Sequence, residues 1–329
     1  MEHARLGGTG LVVSRLCLGT MTFGYQCDED TSRAILDEAF SAGITFIDTA
    51  DVYPLGGGGK MVGATEEIVG RWMKGHRDDV VLATKCFYPM SRRPWDQGSS
   101  RHHIIQAIDE SLRRLQTDRI DLYQLHAWDP RTPIDESLGA LDDLVRAGKI
   151  MYAGCSNFLA YQVARSLGRS ETLGLTRFYS VQPRYNLLFR QIERELLPLC
   201  SEDGVGVIPY NPMAGGLLTG KHKPGAPTDS TRFTLGTAAD MYQERYWNER
   251  AFATVEAIRP LAADAGMTMA QLSVAWVLAH PVVTAPIIGA SRPEQLADAV
   301  AALSTPLDSD LKEALDALTN EYRFGDAAR

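Results

Sequence analysis

A (β/α)8 barrel is the fold this sequence predicts, from three observations. Eight short apolar runs recur along the 329 residues, amphipathic segments fill the intervals between them, and no dinucleotide-binding glycine fingerprint follows the first run. The runs cover residues 15–19, 44–48, 80–85, 120–125, 151–155, 179–182, 205–209 and 284–288. They are apolar nearly throughout, which suits strands covered by helices on one face and packed into a barrel interior on the other.

The helical intervals carry their own signals. Ile104, Ile105, Ile108 and Leu112 mark one helix face; Ile134, Leu138, Leu141, Leu144 and Val145 mark another at helical spacing. Asp30-Thr31 and Thr132-Pro133 have the chemistry of helix starts, and Ala42-Gly43 and Ala147-Gly148 that of helix ends. Two apolar runs, 4–6 and 11–13, flank Gly7-Gly8-Thr9-Gly10 and read as a β-hairpin able to plug the barrel floor. The first barrel strand leads into Gly19-Thr20-Met21-Thr22-Phe23-Gly24 rather than GxGxxG, which disfavours a Rossmann sheet. No internal repeat or linker divides residues 1–329, so a single barrel domain is expected. Three irregular stretches, 54–63, 219–247 and 322–329, read as loops and a polar tail. The four glycines Gly56–Gly59 are not a P-loop, because Met61 follows Gly59-Lys60 where Ser or Thr is required.

Composition narrows the function. The chain is 45% hydrophobic and 22% charged, enough apolar material for a large core. A net charge of −8 offers no basic field for nucleic acid. No run of 18 apolar residues suggests a membrane span, and the N-terminal residues do not have the pattern of a signal peptide, so a cytoplasmic protein is expected. Five scattered cysteines without CxxC spacing predict reduced thiols, with neither a disulfide framework nor a metal site.

The chemistry gathers at strand ends. Asp48 ends the second barrel run, Lys85 the third, and His126 follows the fourth; Tyr53 lies a short turn beyond Asp48. In a barrel these positions converge on one mouth. A phenol is a poor acid catalyst at its free pKa of about 10, and a nearby ammonium favours its ionisation. Lys85 supplies that charge, Asp48 holds Lys85 protonated, and His126 orients a carbonyl oxygen or passes a proton.

These motifs resemble the aldo-keto reductase superfamily over nearly the whole chain. The opening Leu6-Gly7 with Gly10-Leu11-Val12-Val13-Ser14 and Leu18-Gly19-Thr20-Met21, then residues 46–53, Ala83-Thr84-Lys85 and Tyr123-Gln124-Leu125-His126, carry the resemblance. It implies the (β/α)8 barrel, hydride transfer from a nicotinamide cofactor, and a catalytic tetrad of Asp48, Tyr53, Lys85 and His126 with Tyr53 as general acid. For the cofactor it implies Gly19, Thr20, Met21 and Asp48 at the first strand ends, Ser156, Asn157 and Gln182 on the nicotinamide carboxamide, and Tyr210 stacked on its ring. A pyrophosphate loop follows with Asn211, Met213, Gly215, Leu217, Gly220 and Lys221. Gly289, Ser291, Arg292 and Gln295 open the last barrel helix, where Ser291 and Arg292 are implied to hold a 2′-phosphate and Gln295 the adenosine, favouring NADP(H). One departure is Ala299, where many relatives carry Asn.

Phe23, Tyr25, Tyr88, Trp95, Trp128 and Trp247 are candidate walls of an apolar substrate pocket. No Arg or Lys cluster is apparent beside the tetrad, so a neutral aldehyde, ketone or alcohol is the expected substrate; a homo-oligomer stays open. Two other functions compete. One is a non-catalytic nicotinamide-nucleotide-sensing accessory subunit, since relatives of this barrel serve ion channels. The other is a Schiff-base isomerase or aldolase using Lys85, which a neighbouring Asp48 opposes by keeping the amine charged.

Overall fold

The computed structural model describes residues 1–325, so residues 326–329 of the polar tail lie outside the described residues. Two strands, β1 (His3–Arg5) and β2 (Val12–Ser14), form an antiparallel hairpin. Eight parallel strands follow: β3 (Cys17–Gly19), β4 (Phe46–Asp48), β5 (Val81–Cys86), β6 (Ile120–Leu125), β7 (Ile150–Ser156), β8 (Phe178–Gln182), β9 (Gly206–Val207) and β10 (Ile287–Ile288). Their order in the sheet is β10-β3-β4-β5-β6-β7-β8-β9. The sheet closes on itself where the β9 segment meets the β10 segment. Thr284 N donates to Val207 O (2.8 Å) and Ile287 N donates to Pro209 O (2.8 Å), beside the parallel bridges Val207–Val283 and Tyr210–Ile287. This is the barrel expected, with the hairpin at its floor.

The hairpin works as a plug because its apolar side chains point into the barrel. Leu6 and Val13 are buried with Cys17, Phe46, Ala83, Leu122, Ile208 and Ala285 in one interior cluster. The Gly8 N–H donates to Gly204 O (2.8 Å), which ties the turn to the start of β9. Burying each of the larger apolar side chains contributes roughly 1.5–3 kcal/mol.

Helices cover the outside. Arg101–Leu115 buries Ile104 and Ile108 and half-buries Ile105 and Leu112, the face its spacing marked. Ile134–Arg146 does the same with Ile134, Leu138, Leu141 and Leu144. Helix Glu29–Ser41 starts before Asp30-Thr31, because the Asp28 carboxylate accepts the Thr31 N–H at 2.8 Å and is the cap. It stops at Ala42-Gly43, as expected. All five cysteines are buried free thiols. No single helix among the described residues is long and apolar enough to cross a membrane.

Residues 219–247 depart from the expected loop. The stretch contains turns of 3-10 helix at Arg232–Thr234 and Gly236–Ala238 and a two-turn helix, Ala239–Tyr246. The helix was illegible because only Tyr242 and Tyr246 of its eight residues are buried. It is placed over residues 54–63 by a backbone crossing. Gly236 sits at φ 48°, and a Cβ there would lie 2.4 Å from Gly56 O, so only glycine fits.

Candidate active site

The parallel register brings the sequence-marked side chains together. Asp48 ends β4 beside Ala83, Lys85 lies level with Gln124, and Ser156 with Gln182. Lys85 Nζ donates to Asp48 Oδ2 (2.5 Å) and Thr49 O (2.7 Å), and its third proton reaches Tyr53 Oη at 3.5 Å. Asp48 Oδ1 accepts from Gln182 Nε2 (2.8 Å) and Gln124 Nε2 (3.1 Å). Lys85 is fully buried and Asp48 is 2% exposed, so this ion pair survives desolvation only because its lone pairs and protons are satisfied. The His126 ring meets the Tyr53 ring edge-on at 5.8 Å, and its Nδ1 is buried without a partner.

The electrostatics follow from burial. Burial works against the Lys85 ammonium, yet Asp48 and then Tyr53 outweigh it and raise the Lys85 pKa. Burial also raises Tyr53, to about 12, with Lys85 pulling against the rise. The expectation that Lys85 leaves a more acidic phenol is thus corrected: the ammonium offsets only part of the desolvation. Burial, then Lys85, holds His126 well below the usual imidazole range, so the ring is neutral at neutral pH.

Of the residues implied for a cofactor, Thr20, Gln182 and Asn157 bond directly to this group, and Ser156 and Tyr210 bond to it through Gln182 and Asn157. Thr20 Oγ1 donates to Asp48 O (3.0 Å); Gly19 packs on Ile287, and Met21 O accepts Leu55 N. Ser156 Oγ donates to Gln182 O (2.8 Å). Asn157 Nδ2 donates to His126 O (2.9 Å), while its Oδ1 accepts the Tyr210 hydroxyl (2.8 Å). Asn211 Oδ1 accepts the Gly215 N–H (2.6 Å) and shapes the loop through half-buried Met213, Gly215 and Gly220. Leu217 buries its side chain in the core and leaves only its backbone for a ligand. Gln295 Oε1 accepts from Ser291 N (2.8 Å) and braces Ser291 at the start of this segment. Lys221 and Arg292 both reach solvent, and partial desolvation, then Arg292, holds Lys221 below the usual amine range. Ala299 is buried.

The aromatic wall needs correction. Tyr88 meets the His126 ring at 4.9 Å and stands at the mouth. Trp128 is half-buried on Phe158, and Tyr25 lies under Gly236. Phe23 is fully buried in the core and offers no wall, because Thr65 holds its carbonyl and helix Ala64–Met73 covers it. Trp95 is 52% exposed on its loop, with no ring contact among the described residues. Trp247 stacks between Phe233 (4.6 Å), Phe252 (5.0 Å) and His222 (5.4 Å), with Nε1 on Gly225 O, and so anchors the long loop.

That anchor yields a pH prediction. Burial, then Lys221, lowers His222 from 6.5 to about 4. Between those values only the unfolded chain takes up the proton, so stability falls as pH drops through that window. His222→Gln should make the loss shallower, read as the shift in urea midpoint between about pH 7 and pH 5. An unchanged shift would show that His222 does not contribute.

Sequence reading missed Gln124, a second amide on Asp48 with no signal beyond its place in β6, and Tyr242, which packs on Gly215 and opposes ionisation of Tyr53. It also missed Arg232, whose Nη1 is buried without a partner and whose Nη2 lies 3.4 Å from a Cβ placed on Gly289. Asp51, inside the Asp48–Tyr53 motif, is fully buried with neither oxygen partnered; burial and Glu66 hold it well above the usual carboxylate range.

Comparison with known proteins settles the family. The model of the aldo/keto reductase family matches residues 15–320. The chain belongs to the aldo/keto reductase family. Among relatives of this aldo/keto reductase is an uncharacterized oxidoreductase, YrpG, of Bacillus subtilis (strain 168), 42% identical over 324 residues that cover 96% of this chain and 95% of that one. A probable voltage-gated potassium channel subunit beta of Arabidopsis thaliana is 35% identical over 301 residues, covering 90% and 89%. The versiconal hemiacetal acetate reductase of Aspergillus parasiticus is 33% identical over 341 residues, covering 93% of each. This aldo/keto reductase is an oxidoreductase acting on a small molecule.

Proposed function

We propose that this chain reduces the carbonyl of an aldehyde or ketone with NADPH, and oxidises the alcohol in reverse, with Tyr53 as the general acid. One observation carries the reading: a fully buried ammonium lies 2.5 Å from the Asp48 carboxylate and 3.5 Å from the Tyr53 oxygen.

The side chains available suit the cofactor. Ser156, Asn157 and Gln182 offer the mixed donors and acceptors that a carboxamide needs, with Tyr210 beside them for the ring. Around the phosphate end, Lys221, Arg232 and Arg292 have no ion-pair partner among the described residues, and Arg232 Nη1 is an orphaned buried donor. Three uncompensated cations favour NADP(H) over NAD(H), since a 2′-phosphate supplies the missing charge. When bound, the reduced nicotinamide supplies a hydride.

The chain's own groups manage the proton. A phenol held near 12 keeps its proton until an oxygen gaining negative charge takes it. Lys85 then stabilises the phenolate, and Asp48 keeps Lys85 charged throughout. Neutral His126 is able to donate a hydrogen bond to the carbonyl oxygen without adding a second charge beside Lys85. Burial of the pair excludes water and strengthens each interaction.

A carbonyl panel with NADPH oxidation followed by absorbance tests the reading, run beside NADH and an Arg292→Ala variant. Turnover with NADPH is expected, and the variant should raise KM for NADPH about tenfold with a smaller change for NADH. The similarity to channel beta subunits supports a second reading, a nucleotide-sensing subunit. Tight NADPH binding with negligible turnover across the whole panel would select it.

A further inference from the structure

We propose that Arg184 and Arg245 form an oxyanion-binding subsite at the barrel mouth, which takes the carboxylate or phosphate of a substrate whose carbonyl lies at Tyr53. The proposal rests on the reductase reading for the carbonyl end and adds a charged group at the other end. It replaces the sequence expectation that no cationic cluster lies beside the tetrad.

Arg184 follows β8 by two residues and pairs with Tyr210 through a parallel bridge. Its guanidinium lies 3.6 Å over the Phe189 ring and 5.9 Å from the Tyr246 ring. Arg245 arrives from a different direction, on helix Ala239–Tyr246. Tyr242, Arg245 and Tyr246 are three and four residues apart and share one face of that helix. Tyr242 packs against Gly215, and the Tyr246 hydroxyl accepts from Asn186 (3.1 Å) and Asn211 (3.0 Å), so this face is turned to the barrel mouth. The Arg245 charge is felt at both Tyr88, which stands against His126, and Tyr210. The two guanidiniums line a single small cavity whose other walls include Phe189, Asn248, Arg250, Tyr322 and Gly325.

The pair lacks a counter-charge, as does half-buried Arg232 beside Gly289. Both side chains are half-buried, and neither makes an ion pair or a side-chain hydrogen bond among the described residues. Other arginines withdrawn from water do: Arg114 binds Glu66 (2.7 Å), Arg190 binds Glu193 (2.8 Å) and Arg77 binds Asp121 (2.9 Å). A guanidinium taken partly out of water without a partner is costly, and its planar fork matches a carboxylate or phosphate. The cofactor phosphates are not the expected occupant. Arg184 and Arg245 flank Tyr210 at the nicotinamide end, whereas Ser291 and Arg292 follow β10.

The test is calorimetric binding to NADPH-loaded Tyr53→Phe protein, which does not depend on turnover. The probes are 4-carboxybenzaldehyde and 4-formylphenyl phosphate, with 4-nitrobenzaldehyde as the uncharged match. Protein with both arginines should prefer the anionic aldehydes by about tenfold or more, and the better of the two identifies the group. The preference should collapse in Arg184→Gln/Arg245→Gln and partly return in Arg184→Lys/Arg245→Lys. Added sodium sulfate should erase it in the unsubstituted pair, a measurement that stands even if the glutamine variant fails to fold. Equal binding of all three aldehydes, or a preference that survives loss of both arginines or sulfate, overturns the subsite. Normal turnover in the Tyr53→Phe protein would instead overturn the acid assignment and leave the subsite standing.

Discussion

Tyr53→Phe is expected to keep NADPH affinity and lose turnover by about 10²–10⁴-fold, the range for removing a positioned general acid. The substitution deletes one oxygen and little else. That oxygen receives only the long 3.5 Å contact from Lys85, so the 2.5 Å bond to Asp48 and the bond to Thr49 O persist. The ring keeps its edge contact with His126. The expected signature is a fall in kcat with cofactor titration unchanged. Wild-type turnover of a good aldehyde would transfer the acid role to another group, with His126 the next to test.

The second large effect falls on stability. Asp48→Ala leaves the fully buried Lys85 ammonium without its carboxylate and strips Gln124 and Gln182 of a shared acceptor. Breaking one side of such a pair costs about 3–5 kcal/mol. The loss should appear as a lower urea midpoint with little change in slope. Adding Lys85→Met to the same protein should recover part of it, because the orphaned charge is then gone. If the double variant is less stable than Asp48→Ala by the full cost of Lys85→Met alone, the pair is not coupled.

The barrel and the convergence of these side chains were legible for one reason: parallel strands put residues at successive strand ends into one neighbourhood, so Asp48, Lys85 and His126 meet whatever separates them in sequence. What stayed hidden depends on contacts that periodicity does not carry. Phe23 follows a strand end like a wall residue, yet the adjoining helix buries it. Helix Ala239–Tyr246 hides two mouth-facing tyrosines and an arginine in a polar segment. Gln124 and Gln182 read as a strand residue and a cofactor ligand, and only the closed sheet shows that both hold the same carboxylate oxygen.

The hairpin that fills the barrel floor makes this a vessel open at one end. Leu6 and Val13 seal the base beneath Phe46 and Ala83, and neither Lys85 nor Asp48 has a surface of its own through which hydrogen ions arrive from bulk solvent. A phenol that has donated at the top must therefore be recharged from the top, across the space the product has just occupied. On the proposed reading, each cycle couples departure of the alcohol to restoration of the acid, and a solvent isotope effect on turnover is expected to belong to that emptying step as much as to the reduction itself.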